Sequence, residues 1–233
     1  SRPYAFVARP WELTKVESVD ITDAQGANIR IDARGAQVLR VLPRLNEQIN
    51  EEWISDKARY AIDGLRRQRL DRPYLRGADA RLHPASWNDA FEAIKKVMKK
   101  AKPSQIGAIA GDQVDAESMF ALKSLFDKMG SPNIDCRQDS ANLNARQRSS
   151  YLFNSTIEGI DEADALLIVG SNPRIEAPVM NARIRKRYLT SRLSIAHIGP
   201  EADLTYPAVH LGDDSAILAQ ITSGKHPFAK VMK

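Results

Sequence analysis

Ala163-Asp-Ala-Leu-Leu-Ile-Val-Gly-Ser-Asn-Pro-Arg-Ile-Glu-Ala-Pro-Val-Met-Asn-Ala-Arg-Ile-Arg-Lys186 is the stretch whose reading decides the fold. An unbroken apolar run, Ala165 to Val169, enters a Gly-Ser-Asn-Pro turn and then a segment with helical spacing and a basic end. That order spells strand, tight loop, helix. In open α/β sheets such a junction, at the carboxyl end of a strand, is where ligands bind.

Working outward, the same rhythm repeats. Downstream lie a strand over Ser194–Ile198, a short strand over Ala208–Leu211 and a helix from Ser215 to Thr222. Upstream, apolar Ile106 to Ala110 precedes Asp115 as a helix cap. A stripe of Met119, Phe120, Leu122, Leu125, Phe126 and Met129 follows, with Gly130 as the stop and a short strand around Ile134. Strands alternating with helices predict a parallel sheet covered on both faces, with the methionine and aromatic stripes as core. Another helix begins at Ser86, a good N-cap with Asp89 three residues on. Trp87, Phe91, Ile94, Val97 or Met98 and Ala101 line one side, and Lys95, Lys96, Lys99 and Lys100 form a solvated face.

Before this the pattern is β. Val16–Ile21, the alternating Ile29–Ile31, a turn at Ala33-Arg34-Gly35 and the alternating Val38–Val41 predict a small antiparallel sheet, followed by a short helical segment between Trp53 and Arg69. The expected fold is therefore α/β: a small antiparallel β-subdomain, then a Rossmann-like parallel sheet with helices on both faces. The divisions are a β-rich subdomain at 1–72, an α/β domain at 73–224 and a linker at 225–233.

Composition narrows the chemistry. The 233 residues are 43% hydrophobic, enough for a real core, and 34 Lys and Arg against 29 Asp and Glu leave a surplus of +5 that is interspersed, arguing against nucleic acid as the partner. Apolar runs of about five residues fall short of the roughly 20 that a spanning helix needs, so no membrane insertion is expected, and no leader for export is read. The single cysteine, Cys136, makes no internal disulfide and by itself holds neither zinc nor an iron–sulfur cluster; a reducing compartment and burial as a small hydrophobe are expected for it.

Nucleotide signatures are missing: Gly107 and Gly111 lack a third glycine, and no Gly-Lys-Ser/Thr occurs. His83, His197, His210 and His226 lack metal-pair spacing, and no Gly-x-Ser-x-Gly elbow presents a serine. Asp20 and Asp23, with Asp32 nearby, suit a hard cation, but no Asp-x-Asp-x-Asp-Gly loop frames them.

Five separated segments carry a resemblance that goes further. They are Arg2-Pro-Tyr-Ala-Phe6, Ala8-Arg-Pro-Trp-Glu12, Asn50-Glu-Glu-Trp-Ile-Ser-Asp-Lys57, Asp63-Gly-Leu-Arg-Arg-Gln-Arg-Leu70 and the junction from Gly170 to Arg185. In this order they resemble the large iron–sulfur subunit of respiratory complex I, the NADH–quinone oxidoreductase, in its molybdopterin-oxidoreductase-like region. The resemblance implies that 2Fe-2S and 4Fe-4S clusters belong to an upstream part of such a subunit. It also implies that 1–72 corresponds to a lost 4Fe-4S domain. The cluster ligands of catalytic relatives fall on Asp20, Asp23, Ala27 and Ser55, none of them a thiolate, so no cofactor is expected in this segment. Lys57 matches the lysine lying between cluster and pterin, and the molybdenum or tungsten ligand falls near Ala141, with Ser140 as its neighbour.

Gly170, Ser171, Asn172 and Pro173 match the loop that cradles a guanine nucleotide on backbone amides, and the resemblance implies a turn kept without its ligand. The implied function is a non-catalytic scaffold in NADH-to-quinone electron transfer, with no catalytic residue of its own. Its partners would be other peripheral-arm subunits, met through Trp11, Trp53 and Arg66–Arg69. Its place would be the matrix or cytoplasmic side of an inner membrane. Two alternatives stay open, a molybdopterin-dependent oxidoreductase fragment and a basic nucleic-acid-binding α/β module.

Overall fold

The computed structural model describes residues 5–136, 144, 146–191 and 193–232. Contacts within the chain group into two units, residues 1–66 with 152–233 and residues 67–151. This division is by contact, and it cuts the chain differently from the boundaries at 72 and 224 that the resemblance suggests.

In the first unit, strands β1 (Thr14–Val19), β2 (Asn28–Arg34) and β3 (Gln37–Pro43) form the expected antiparallel sheet. Gly35 turns the β2–β3 hairpin with φ +58°, a backbone state that a side chain resists. A bulge follows Asp32 on β2. The carboxylate of Asp32 is fully buried and held by Arg30 Nε at 2.8 Å and Arg40 Nε at 2.7 Å. Burial pushes this carboxyl up, but the two arginines overcome that and hold it below the usual carboxylate range. Helix α1 (Asp56–Tyr60) is capped by Ser55, whose Oγ accepts from the Ala58 amide at 3.1 Å. The helix closes a core of Ala27, Ile29, Val41, Ile54, Ala58 and Ile62.

The second unit opens on a hairpin absent from the sequence reading, β4 (Tyr74–Arg76) with β5 (Leu82–Pro84). Helix α2 (Trp87–Lys100) starts as expected, Ser86 and Asp89 capping each other's backbone. Strand β6 (Ala108–Ile109), helix α3 (Ala116–Met129) and strand β7 (Ile134–Asp135) form one β–α–β turn with parallel strands. Asp115 caps α3, and Gly130 ends it at φ +71°.

Two expectations fail in this unit. The stripe of α2 is not core: Trp87, Phe91, Ile94 and Val97 are all more than half exposed, as is Phe120 on α3, while Phe126 is buried. Capping and helix propensity form α2 whether or not its stripe is covered. Cys136 is exposed as well, one residue beyond the end of strand β7.

Returning to the first unit, β8 (Ala165–Val169), α4 (Pro173–Glu176), α5 (Pro178–Thr190), β9 (Ser194–Ile198), β10 (Val209–Gly212) and α6 (Ala216–Thr222) complete the described elements. The strands run parallel in the order β10-β9-β8. Alternation along them sets the two faces. Ile168 and Ile195 pack with Ile184 of α5, Leu204 and Tyr206, whereas Ala196 and Ile198 pack with Ile217 and Ile221 of α6. The chain is thus mixed α/β, with an antiparallel sheet and helices on both sides of a three-stranded parallel sheet. A single Rossmann-like sheet over 73–224 is not what the described strands form, since β6 and β7 pair apart from β8 to β10. Two-residue strands offer too few ladder bonds to fix a wider order from pattern alone.

Candidate functional site

The structure gathers Asp20, Asp23, Ala27, Ser55 and Lys57 around the β1–β2 loop and the start of α1. Asp20 is buried, and its amide donates to the Ala27 carbonyl at 2.8 Å, closing the loop. Its Oδ1 accepts from the amide (2.9 Å) and hydroxyl (2.8 Å) of Thr22. Asp23 Oδ1 accepts from the Gln25 amide at 3.0 Å. Burial first, and the charge of Asp20 with it, push the Asp23 carboxyl up, against the Gln25 amide and the Lys57 ammonium that pull it down. Lys57 Nζ donates to the Glu176 carbonyl at 3.4 Å. Ala27 packs in the core, and Ser55 is committed to its capping bond. Asp32 takes no part, being held by its two arginines.

The second candidate is the loop after β8. Gly170 has φ +65°, and its amide donates to the Ile198 carbonyl at 2.8 Å. Asn172 Oδ1 accepts from the Arg174 amide at 3.2 Å, and the Asn172 amide donates to the Glu176 carboxylate at 2.9 Å. Pro173, at the first position of α4, has no N–H to offer. Glu176 thus sits on the Asn172 amide, which a phosphate would otherwise claim. Gly170 and Gly199 directly follow β8 and β9 and Gly212 closes β10, so each parallel strand meets a glycine with positive φ at its carboxyl end.

Two arrangements here escaped the sequence. Asn50, 1% exposed, accepts from the Asn28 amide at 2.8 Å and divides its own amide hydrogens among the carbonyls of Arg44, Glu51 and Trp53. Arg183 on α5, 6% exposed, grips Asp161 through Nε and through Nη2 at 2.7 Å, and reaches the carbonyls of Glu47 (2.8 Å) and Ile49 (3.4 Å). The Asp161 bond keeps this guanidinium charged despite burial. Lys186 pairs with Glu51 at 2.9 Å beside it. Between these groups, a cavity of about 220 Å³ is lined by Ile49, Trp53, Val179 and Ala182.

Nearby on α5, Asn181 accepts from the Tyr206 hydroxyl at 2.7 Å, and burial pushes that phenol up to about 12. Both asparagines and Arg183 lie in the quoted motifs, but a buried arginine inside a basic run looks like any solvated helix end. His197 and His210 also meet, their ring centroids 5.9 Å apart on adjacent strands, which only the β9–β10 register brings about. Hydrogen bonding to the Gly199 carbonyl, helped by Asp213, raises the His210 pKa.

Trp11, Trp53 and Arg66–Arg69 are all exposed. The expected metal-ligand position at Ala141, with Ser140, lies outside the described residues.

Comparison with known proteins agrees with the resemblance and corrects one inference from it. Residues 13–63 match the model of the NADH-ubiquinone oxidoreductase NDSU1/NuoG-like 4Fe-4S domain. Over all 233 residues the chain is 52% identical to the mitochondrial NADH dehydrogenase [ubiquinone] iron-sulfur protein 1 of Solanum tuberosum, covering 32% of that protein. It is 48% and 47% identical to the NADH-quinone oxidoreductase G subunits of Rickettsia conorii and Rickettsia felis, covering 35% of each. The chain spans about a third of the length of these curated relatives.

The match at 13–63 overturns the expectation that this segment has no cofactor: it points to an iron–sulfur binding region within this chain. At the four positions compared, however, the donor set does not fit a cluster. Ala27 has no ligand atom, Ser55 is a helix cap, and among the described residues no group of three or more His, Cys, Asp or Glu can hold a metal. Residues 69–233, most of the chain, match the molybdopterin oxidoreductase model, and the chain belongs to that family.

Proposed function

We propose that this segment is a non-catalytic scaffold of the large iron–sulfur subunit of an NADH–quinone oxidoreductase, keeping neighbouring parts in fixed relation while electrons pass from NADH towards quinone. The observation that supports this reading most is Arg183. It ties the stretch before Ser55, which resembles the iron–sulfur domain, to helix α5 of the molybdopterin-type region, across 134 and 136 residues of sequence. A buried, bidentate guanidinium fixes orientation as well as distance. The relatives supply the setting, and because this chain covers about a third of their length, the activity of the whole belongs to the proposal.

In that setting the partners are other peripheral-arm subunits, and Trp11, Trp53 and Arg66–Arg69 are the exposed groups offered to them. The location is peripheral, on the matrix or cytoplasmic side of an inner membrane; no helix among the described residues is long and apolar enough to cross one. The loop Gly170–Pro173 is then a turn retained for its shape, with the Gly170 and Asn172 amides bonded to Ile198 and Glu176.

Arg183→Ala in the complete subunit tests the reading. Native gels should show less assembled complex, with NADH–quinone turnover per assembled complex unchanged. Intact assembly with lowered turnover per complex would overturn it.

A further inference from the structure

Two oxygens in the β1–β2 loop stand out on chemical grounds. Asp20 is 4% exposed and Gln25 5%, yet Asp20 Oδ2 and Gln25 Oε1 find no hydrogen-bond partner among the described residues. Their companion atoms are fully engaged, Asp20 Oδ1 by Thr22 and Gln25 Nε2 by the Ile49 carbonyl at 2.8 Å. Neither side chain is therefore free to turn away. Both orphaned atoms are acceptors, both are shut off from solvent, and both belong to a loop closed by the Asp20–Ala27 bond. Buried acceptors without donors call for a bound species that accepts electron pairs.

Charge gives the sign of that species. The cation that acts on Asp23 is Lys57, whose ammonium is also turned to the Glu176 carbonyl. Asp23 spends Oδ1 on the Gln25 amide and has Oδ2 left to offer. A carboxylate oxygen from each aspartate and an amide oxygen are hard ligands, and no thiolate or imidazole is among them. Hard oxygen donors select calcium, magnesium or an alkali ion over the softer transition metals.

We propose that the Asp20–Ala27 loop binds a small hard cation through Asp20 Oδ2, Asp23 and the Gln25 side-chain oxygen. Calcium suits the set best, since it accepts mixed carboxylate and amide oxygens in irregular geometry. By the resemblance this loop stands where catalytic relatives carry thiolates, and the proposed site uses different atoms. Its validity does not depend on the scaffold reading.

Calcium chloride titrated into the full protein at constant ionic strength, followed by calorimetry and by thermal unfolding, tests the proposal. The expected result is a saturable site and a rise in Tm at millimolar calcium, both weakened at least about tenfold by Asp23→Asn, which removes ligand charge at the more accessible position. Asp20→Asn should abolish the response. Should that variant fail to fold, Asp23→Asn still decides. No calcium response in the wild-type protein, or an equal response in Asp23→Asn, overturns the site.

Discussion

The two units of this chain were built from sequence patterns of similar strength and came out differently. Residues 1–66 with 152–233 hold all three clusters of buried apolar side chains, two of them on opposite faces of one parallel sheet. Residues 67–151 contain a helix with paired caps and a regular apolar stripe, yet their described residues bury little beyond Ala90, Ala110, Phe126 and Ser131. The difference teaches that caps and periodicity determine whether a helix forms, while burial depends on what lies opposite. In the first unit that opposite surface is present, and Arg183 and Asn50 add polar bonds which only a closed arrangement can satisfy.

Four experiments can break or sharpen this contrast. Arg183→Ala should have the largest effect, lowering stability by about 4 kcal/mol in a denaturant titration, because Asp161 and two carbonyls lose their shared partner. Ile184→Ala, on the same helix but in the apolar cluster, should cost about 3 kcal/mol by the same measurement. A smaller effect is expected with pH. The folded-state pKa of Asp32 is lowered, so its contribution is present above the unfolded value, about 3.9, and is lost as pH falls through the folded value. Acid titration of wild type against Asp32→Asn should show that limb of the curve flattened in the variant. Last, Phe91→Ala on α2 should change stability by less than about 0.5 kcal/mol. A loss there matching that of Ile184→Ala would show that the exposed stripe is covered in solution and would erase the contrast.

Much of this architecture was legible. The apolar runs Ala165–Val169 and Ser194–Ile198 are strands with the bounds that their composition suggests, and Ser86, Asp115 and Gly130 start and stop helices as their side chains dictate. Short or cooperative features were not. Strands β4 and β5 hold three residues each, too few for an alternation to register. The meeting of His197 with His210 depends on strand register, and the partition of parallel strands between two sheets depends on pairing between distant segments.

The candidate site divides in the same way. Asp20, Asp23, Ala27, Ser55 and Lys57 were placed by resemblance, and the fold brings them to one loop and the adjoining helix start. The orphaned oxygens of Asp20 and Gln25 were invisible, since whether an acceptor finds a donor is decided by packing. Arg183 was hidden because its neighbours Arg185, Lys186 and Arg187 give it the look of a solvated helix end.

The three glycines that end the parallel strands carry a consequence for how this surface can change. A Cβ on Gly212 would lie 2.9 Å from Ile217 Cδ1, and one on Gly199 would lie 3.3 Å from the Gly170 Cα, while all three residues hold positive φ. Any single replacement therefore meets steric or torsional resistance whether or not a ligand is present. Mutational drift is free to recast the side chains around this rim long before it can recast the rim itself. A sheet edge of this kind outlives the chemistry of its surroundings, and its backbone is a poor clock for when a function was gained or lost.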